Sequence, residues 1–396
     1  MGHDGALHGL VVLDVSQVMA GPFCAMQMAD LGADVVKVEP PGGETTRHMP
    51  GARGSDSPGF NALNRNKRSI VLNLKVPGGQ EVFRRLARGA DVVIENYRPG
   101  VAAALGIDYT RLAAENPRLV YGSVSGYGQT GPDARKGGFD LVAQGVSGLM
   151  SVTGEPGGPP VKCGVPVTDL GAGLFLLSGI LAALLDRTRS GRGQYVDTSL
   201  LEAGLALSVW EATQYFSGGG VPGPMGSAHR VGAPYQAFRC ADGYITIGAW
   251  SDRLFARLGD VLGRHAWLDD PALATSDGRV ASRARLAAEI ESVTATRPRA
   301  HWLALLEAHD IPCGPINTYE EALTAPQALA RGMVREVDHP TLGRLRTLGS
   351  PLKLSASPAA EARPAPVLGA HTNEVLAAAG YADADLAALR AAGAIA

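Results

Sequence analysis

Asp169 stands where a carboxylate can do chemistry. A stretch broken by Gly and Pro, residues 159 to 168, leads up to it, and an uncharged run from Leu170 to Leu185 follows. That pattern predicts a buried helix with a lone carboxylate at its N-terminus. There, unpaired backbone N–H groups and the helix dipole are expected to hold the group ionised while its surroundings exclude water. A desolvated carboxylate of this kind can serve as a nucleophile. The alternative is a simple N-cap, a common place for Asp. Position alone favours the cap; the rest of the chain reverses that preference.

Other residues carry charge in patterns that suit an anionic ligand. The densest basic cluster is Asn64-Arg65-Asn66-Lys67-Arg68, with Lys75 beyond the next strand. It suits a phosphate-rich ligand, and a solvated turn is an equally good reading. Asn96-Tyr97-Arg98-Pro99-Gly100 directly follows a strand and offers an amide, a ring and a guanidinium where α/β proteins bind ligands. Arg47 and His48, after a Gly-rich turn, are candidates for holding the carboxylate of an acid, with a solvated surface as the alternative. Gly171 and Gly173 allow close approach near the helix start, either for an oxyanion or for helix packing alone.

Several chemistries are disfavoured. The first strand–helix loop, Ser16-Gln17-Val18-Met19-Ala20-Gly21-Pro22, is not the GxGxxG turn that lets a backbone approach a pyrophosphate, so NAD is not expected. There is no Walker A lysine motif. Cys24, Cys163, Cys240 and Cys313 lie far apart without ligand spacing, and the nine histidines are scattered. No metal site is expected, and the thiols read as reduced. A net charge of −2 gives no reason to expect a nucleic acid.

The elements that must position these residues form a repeating pattern. Strand-like runs at Leu10–Val15, Asp34–Glu39, Ser69–Leu74, Asp91–Glu95, Leu119–Val124 and Gln194–Thr198 alternate with helical segments at Pro22–Leu31, Gly79–Arg88 and Tyr109–Glu115. A long helical tract follows Asp169, and another helix runs to about Phe216. Such βα units build a doubly wound, Rossmann-like parallel sheet with ligands at the C-terminal strand ends. A Gly- and Pro-rich stretch, 217–234, reads as a linker. Beyond it, Tyr235–Cys240 and Tyr244–Gly248 flank Asp242-Gly243, a hairpin signal, and helices run to about His309. The expected fold is therefore α/β: a large domain of residues 1–216 and 326–396 and a smaller α+β domain of 235–325. A further hairpin is expected within Met333–Leu354, before a helical tail.

With 396 residues, 45% hydrophobic and 19% charged, the chain can bury two cores. Met1-Gly2-His3-Asp4-Gly5 lacks a basic-then-apolar signal pattern. Leu170–Leu185 is too short, and too rich in Gly and Ser, to be expected across a bilayer. A cytoplasmic protein without a membrane partner is the expectation.

Four segments, in this order and spacing, carry a family resemblance: Val35-Val36-Lys37-Val38-Glu39-Pro40-Pro41-Gly42, Asn66-Lys67-Arg68-Ser69-Ile70, Glu95-Asn96-Tyr97-Arg98-Pro99-Gly100, and the Asp169 segment. With Leu368-Gly369-Ala370-His371-Thr372, the chain resembles the class III CoA transferases across essentially its whole length. That is the formyl-CoA transferase and carnitine-dehydratase/bile-acid-inducible family. The resemblance implies an aspartate nucleophile at Asp169. It also implies coenzyme A contacts at Val18, Met19 and Ala20, at Leu72 and Lys75, and at Asn96, Tyr97 and Arg98. It further implies an interlocked homodimer, acyl-CoA and carboxylic acid substrates, and no permanently bound cofactor.

Two departures refine the expectation. The related α-methylacyl-CoA racemases pair the aspartate with a histidine in a Gly-His-Asp segment, and this chain has Gly138-Phe139-Asp140. Phe139 cannot carry a proton, so two-base inversion of an α-carbon is incomplete. Phe139 and Asp140 are then substrate-side candidates, with Asp140 either orienting Asp169 or the substrate or serving as a structural acceptor. The stretch Gly226–Pro234 also lacks the glycine run of the oxalate-using members. The chain therefore looks more like the succinyl-CoA-dependent enzymes of dicarboxylates. An acyl-CoA racemase or isomerase, and a non-catalytic CoA-binding subunit, are the competing readings.

Overall fold

The computed structural model describes residues 5–52 and 56–396. The N-terminal Met1–Asp4, read above for a targeting pattern, lies outside the described residues. The described chain divides into two compact units, one comprising residues 1–150, 162–220 and 326–396, the other 151–161 and 221–325. Residues 151–161, placed by the sequence reading with the large domain, thus group with the second unit.

The first unit is built on six strands: β1 (Val11–Asp14), β2 (Asp34–Glu39), β3 (Arg68–Val71), β4 (Val92–Glu95), β5 (Val120–Ser125) and β6 (Tyr195–Ser199). All pair in parallel, in the order β3-β2-β1-β4-β5-β6. Parallel strands buried on both faces need continuous apolar runs, and these supply them. The order reverses at β1, which pairs with both β2 and β4, so the loops leaving β1 and β4 diverge around a crevice. Ligands in such sheets sit there.

Helices cover both faces. They are α1 (Ala20–Asp30), α2 (Pro58–Leu63), α3 (Pro77–Arg88), α4 (Val101–Ala104), α5 (Tyr109–Glu115), α6 (Asp140–Val146) and α7 (Leu149–Val152). Then come α8 (Val167–Ser190), α9 (Leu200–Leu207) and α10 (Val209–Phe216). On one face Val12, Val35, Ile94 and Val124 pack with Cys24 and Met28 of α1 and Leu176 and Ile180 of α8. On the other, Leu13, Val36, Val93 and Tyr121 pack with Val82 and Phe83 of α3, Leu112 of α5, and Val375, Leu376 and Leu386 from the C-terminal helices. Burying each such side chain is worth roughly 1.5–3 kcal/mol.

Helix α8 is long and apolar enough to cross a membrane, yet half of its most apolar window is buried within the fold. It crosses the start of α1 at Gly173, where a Cβ would come within 2.7 Å of the Ala20 carbonyl oxygen. A Cβ on Gly171 would meet Leu207 of α9 at 2.9 Å. Both glycines therefore serve helix packing, one of the two roles open to them from sequence. A two-stranded hairpin, β10 (Val334–His339) with β11 (Gly343–Leu348), also belongs to this unit.

In the second unit β7 (Tyr235–Cys240), β8 (Gly243–Gly248) and β9 (Cys313–Pro315) form an antiparallel sheet. Cys240 pairs with Gly243, so Ala241 and Asp242 make the turn, one residue earlier than the Asp-Gly signal suggested. Helices α11 (Asp252–Val261), α12 (Ser276–Ala281), α13 (Arg283–Thr294) and α14 (Arg299–Ala308) belong to the same unit. Its core is Phe238, Ile245, Ile247, Phe255, Trp267, Ile290 and Trp302.

Candidate functional site

At the C-terminal edge of the parallel sheet, β1 ends in a buried carboxylate, and the following loop is built around it. Asp14 Oδ1 accepts from the Ser16 amide at 3.0 Å. Lys67 Nζ donates to Asp14 Oδ2 at 2.8 Å, to the Asn64 side-chain carbonyl at 2.8 Å and to the Pro22 carbonyl at 3.0 Å. Lys37 sits 3.5 Å from the same carboxylate and donates to the Ser16 carbonyl. Burial alone would raise Asp14, but the ammonium groups of Lys37 and Lys67, with hydrogen bonds from Lys67 and Ser16, bring it down to about 2. Burial pushes Lys67 itself down to about 8, with Asp14 opposing.

The next residues are held in an uncommon conformation. Val18 has φ +66°, which a β-branched residue rarely adopts. Neighbours brace it. Asn96 accepts from the Gln17 amide at 2.8 Å and donates to the Gln17 carbonyl at 2.6 Å, as a neighbouring strand would. Glu44 accepts from the Val18 amide at 3.2 Å. Buried Glu95, at the end of β4, accepts from the Tyr97 amide at 2.6 Å and so turns the chain into the loop that carries Tyr97 and Arg98. Burial pushes Glu95 up to about 7, against its hydrogen bonds to Ser123 and Tyr97.

These loops enclose a cavity of about 230 Å³. The β1–α1 loop lines it with Gln17 to Ala20, the β4–α4 loop with Asn96 to Pro99, and α8 with Asp169. Lys136 and Phe139 complete the wall ahead of α6. Gly126, after β5, and Gly138 meet backbone to backbone: a Cβ on Gly138 would lie 2.5 Å from the Gly126 Cα. Only paired glycines permit that approach, and it brings Phe139, 71% exposed, to the cavity.

Asp169 is the third residue of α8, half-buried, and its carboxylate accepts no hydrogen bond from any described residue. Burial first, and then the neighbouring Asp140 carboxylate, push it up to about 7. This corrects the expectation that the helix N-terminus holds Asp169 ionised. The amides of that turn are engaged elsewhere: Val167 donates to Val165, Thr168 to Asp140 and Leu170 to Pro166. The dipole's favourable effect is outweighed by desolvation and a like charge.

The structure sorts the sequence candidates. Val18, Met19, Ala20, Asn96, Tyr97, Arg98, Phe139 and Asp169 converge on one cavity. Asn96 does so with its amide group committed to the Gln17 backbone. Leu72 is buried and bridges Ile395, Lys75 is exposed, and neither lines this cavity.

Arg47 is buried against Glu39 at 2.6 Å, pairs with Asp56, donates to the Pro366 carbonyl at 3.0 Å and stacks 3.6 Å over Phe60. It is a core ion, not a substrate clamp. His48 is exposed and contacts the Gly42 carbonyl at 2.9 Å. The basic cluster is likewise spent internally: Arg65 and Asn66 on Asp30, Lys67 on Asp14, Arg68 on Asp34 and Glu374. It is neither a phosphate site nor a solvated turn. Asp140 does not line the cavity, and its oxygens are engaged by Thr168 and Gln144.

Gln17, Lys136, Ser125 and Gly126 line the same cavity and were not singled out from sequence. The available signal was positional. Ser125 and Gly126 follow a parallel strand at its C-terminal end, and Gln17 shares a loop with named candidates.

A family model described as CoA-transferase family III matches residues 7–372. The chain is 40% identical over 372 residues to the succinyl-CoA:glutarate CoA-transferase of Mus musculus, covering 93% of this chain and 85% of that protein. It is 40% identical over 379 residues to a succinate–glutarate CoA-transferase of Agrobacterium fabrum, covering 94% and 95%. An acetyl-CoA:oxalate CoA-transferase of Acetobacter aceti is 39% identical over 358 residues, covering 89% and 90%. A CaiB/BaiF family protein from Brucella suis superposes with a TM-score of 0.84 at 37% identity, covering 95% of this chain and all of that one.

Proposed function

The chain belongs to CoA-transferase family III, and we propose from that premise that Asp169 is the covalent carrier through which CoA passes from an acyl-CoA to a carboxylic acid. One observation carries the reading. Among the cavity-lining residues Asp169 is the carboxylate, it accepts no hydrogen bond from the described chain, and it shares the wall with the cations Arg98 and Lys136. A cavity of about 230 Å³ suits the thiol end of a pantetheine arm with a small acyl group rather than a whole nucleotide. The phosphates then lie outside it.

The exchange proceeds in balanced steps. The Asp169 carboxylate attacks the donor thioester carbonyl and expels CoA thiolate, giving a mixed anhydride. The thiolate attacks the aspartyl carbonyl, releasing the donor as a free acid anion and leaving an aspartyl-CoA thioester. The acceptor carboxylate attacks that thioester and expels the thiolate again. The thiolate takes the acceptor's acyl group from the second anhydride, and Asp169 is regenerated. One thioester is made for each one broken, so no ATP is required. The anhydrides hydrolyse in water, so the half-buried setting matters as much as the nucleophile.

Succinyl-CoA as donor and a dicarboxylate as acceptor are supported by the names of two of the three relatives above, with the third naming acetyl-CoA and oxalate, and by the absence of a glycine run at Gly226–Pro234. A homodimer is supported by the apolar side chains exposed on the first unit: Phe139 (71%), Leu174 (48%), Leu205 (51%), Val209 (65%) and Phe216 (81%). A reducing, cytoplasmic setting is supported by four unpaired cysteines.

Trapping tests the reading. Enzyme incubated with succinyl-CoA and hydroxylamine should give a hydroxamate at Asp169 by peptide mass spectrometry. Asp169→Ala and Asp169→Asn should give none and transfer no CoA. Full transfer by Asp169→Ala would end the proposal.

A further inference from the structure

We propose that Asp140 is a positioning residue that holds the first turn of α8 through Thr168 and, as a neighbouring carboxyl group, tunes Asp169. The inference rests on Asp169 being the nucleophile and deepens that reading.

The geometry is specific. Asp140 opens α6 and does not itself line the cavity. Its Oδ1 accepts from the Thr168 amide at 3.0 Å and from the Thr168 hydroxyl at 2.7 Å. Its Oδ2 accepts from the Gln144 side-chain amide at 2.7 Å. Gln144 is buried, and its own carbonyl oxygen accepts from the Cys163 amide at 2.8 Å. A continuous chain thus runs from the segment entering α8, through Gln144 and Asp140, to the residue before Asp169. No side chain of α8 caps its own start, since Pro166 occupies the N-cap. Asp140 supplies that cap from 28 residues upstream.

The same placement has an electrostatic result. Among the described residues, Asp140 is the charged group that acts on Asp169 beside burial, and it acts in the same direction. The other elements around the cavity bring few ions. The β1–α1 loop contributes none from Gln17 to Ala20, the β4–α4 loop brings Arg98, and the segment before α6 brings Lys136, itself 2.8 Å from Asp133. A carboxylate denied hydrogen bonds and set beside a like charge is a stronger nucleophile once ionised, because less of its charge is stabilised. Asp140 therefore both aims the nucleophile and keeps it reactive.

The test reads the Asp169 titration directly and needs no turnover. Protein labelled with ¹³C at aspartate carboxyls is titrated by NMR, with Asp169→Asn identifying the resonance. Wild type should titrate near 7. Asp140→Asn and Asp140→Ser, which keep an acceptor for Thr168 but no charge, should move the midpoint down toward the ordinary carboxylate range. Asp140→Glu, which keeps the charge, should not. In the transferase assay the acid limb of kcat/KM should move down with the two uncharged variants, with kcat reduced about tenfold or more and KM for acyl-CoA little changed. An unmoved midpoint in either folded uncharged variant overturns the proposal, and a kcat loss alone would make Asp140 only a structural brace. A protein that transfers no CoA but shows the midpoint shift would instead refute the transferase reading and leave the coupling standing.

Discussion

Replacing Lys67 by Met should cost about 3–5 kcal/mol of stability, the range for breaking a buried ion pair by removing one partner. Methionine keeps most of the lysine stem and removes the ammonium. Three acceptors lose their donor at once: Asp14 Oδ2, the Asn64 side-chain carbonyl and the Pro22 carbonyl. Asp14, fully buried, keeps Lys37 at 3.5 Å and the Ser16 contacts. Its carboxyl should climb from about 2, because burial then meets a single ammonium. Against a total stability on the order of 5–15 kcal/mol, that loss is large. Urea unfolding followed by circular dichroism measures it, with Asp14→Asn and the double variant closing a cycle. In the Asp14→Asn background Lys67→Met should cost much less, since no buried carboxylate is left with only one of its two ammonium partners. Because Lys67 also ties α1 at Pro22 to the end of β1, KM for acyl-CoA should rise in the single variant. A loss under about 1 kcal/mol, or costs that simply add, would refute the electrostatic reasoning.

Three further outcomes follow. In the proposed reaction the nucleophile is the ionised form of Asp169, whose pKa is raised to about 7, so kcat/KM should fall about tenfold per unit as pH drops below 7 and level off above 8; a flat profile from pH 5.5 to 8 contradicts this. Asn96→Ala removes two hydrogen bonds to the Gln17 backbone, worth about 1 kcal/mol each. KM for acyl-CoA should then rise roughly tenfold to thirtyfold, read by initial rates. The wild type should have a dimer's mass in light scattering, and Phe216→Glu combined with Leu205→Glu should shift it to a monomer; a monomeric wild type, or an unchanged mass in the variant, contradicts the proposed interface.

The parallel sheet was legible because strands buried on both faces write themselves as apolar runs. Asp34–Glu39 was read at its observed bounds, and β1 and β4 to within a residue or two. The end of β3 was not: Leu72 leaves the ladder to bridge Ile395, a partner more than 300 residues away. The break at Ser208 between α9 and α10 has no Gly or Pro to announce it. The cations of residues 64–68 looked available for a ligand because their partners, Asp14, Asp30, Asp34 and Glu374, are remote in sequence. Asp169 was legible as a carboxylate at a helix start; its raised pKa was not, since local dipole reasoning weighs neither the cost of its burial nor Asp140 folding back from another helix.

The contact between Gly126 and Gly138 has an evolutionary consequence. With two bare backbones touching, neither position can accept a side chain without displacing the cavity wall. On the proposed function, adaptation to a bulkier or more polar acid is therefore closed off at both and falls to the adjoining Phe139, whose ring already stands in the open. Lineages that diverge in acid preference should keep the glycines and trade the residue at 139.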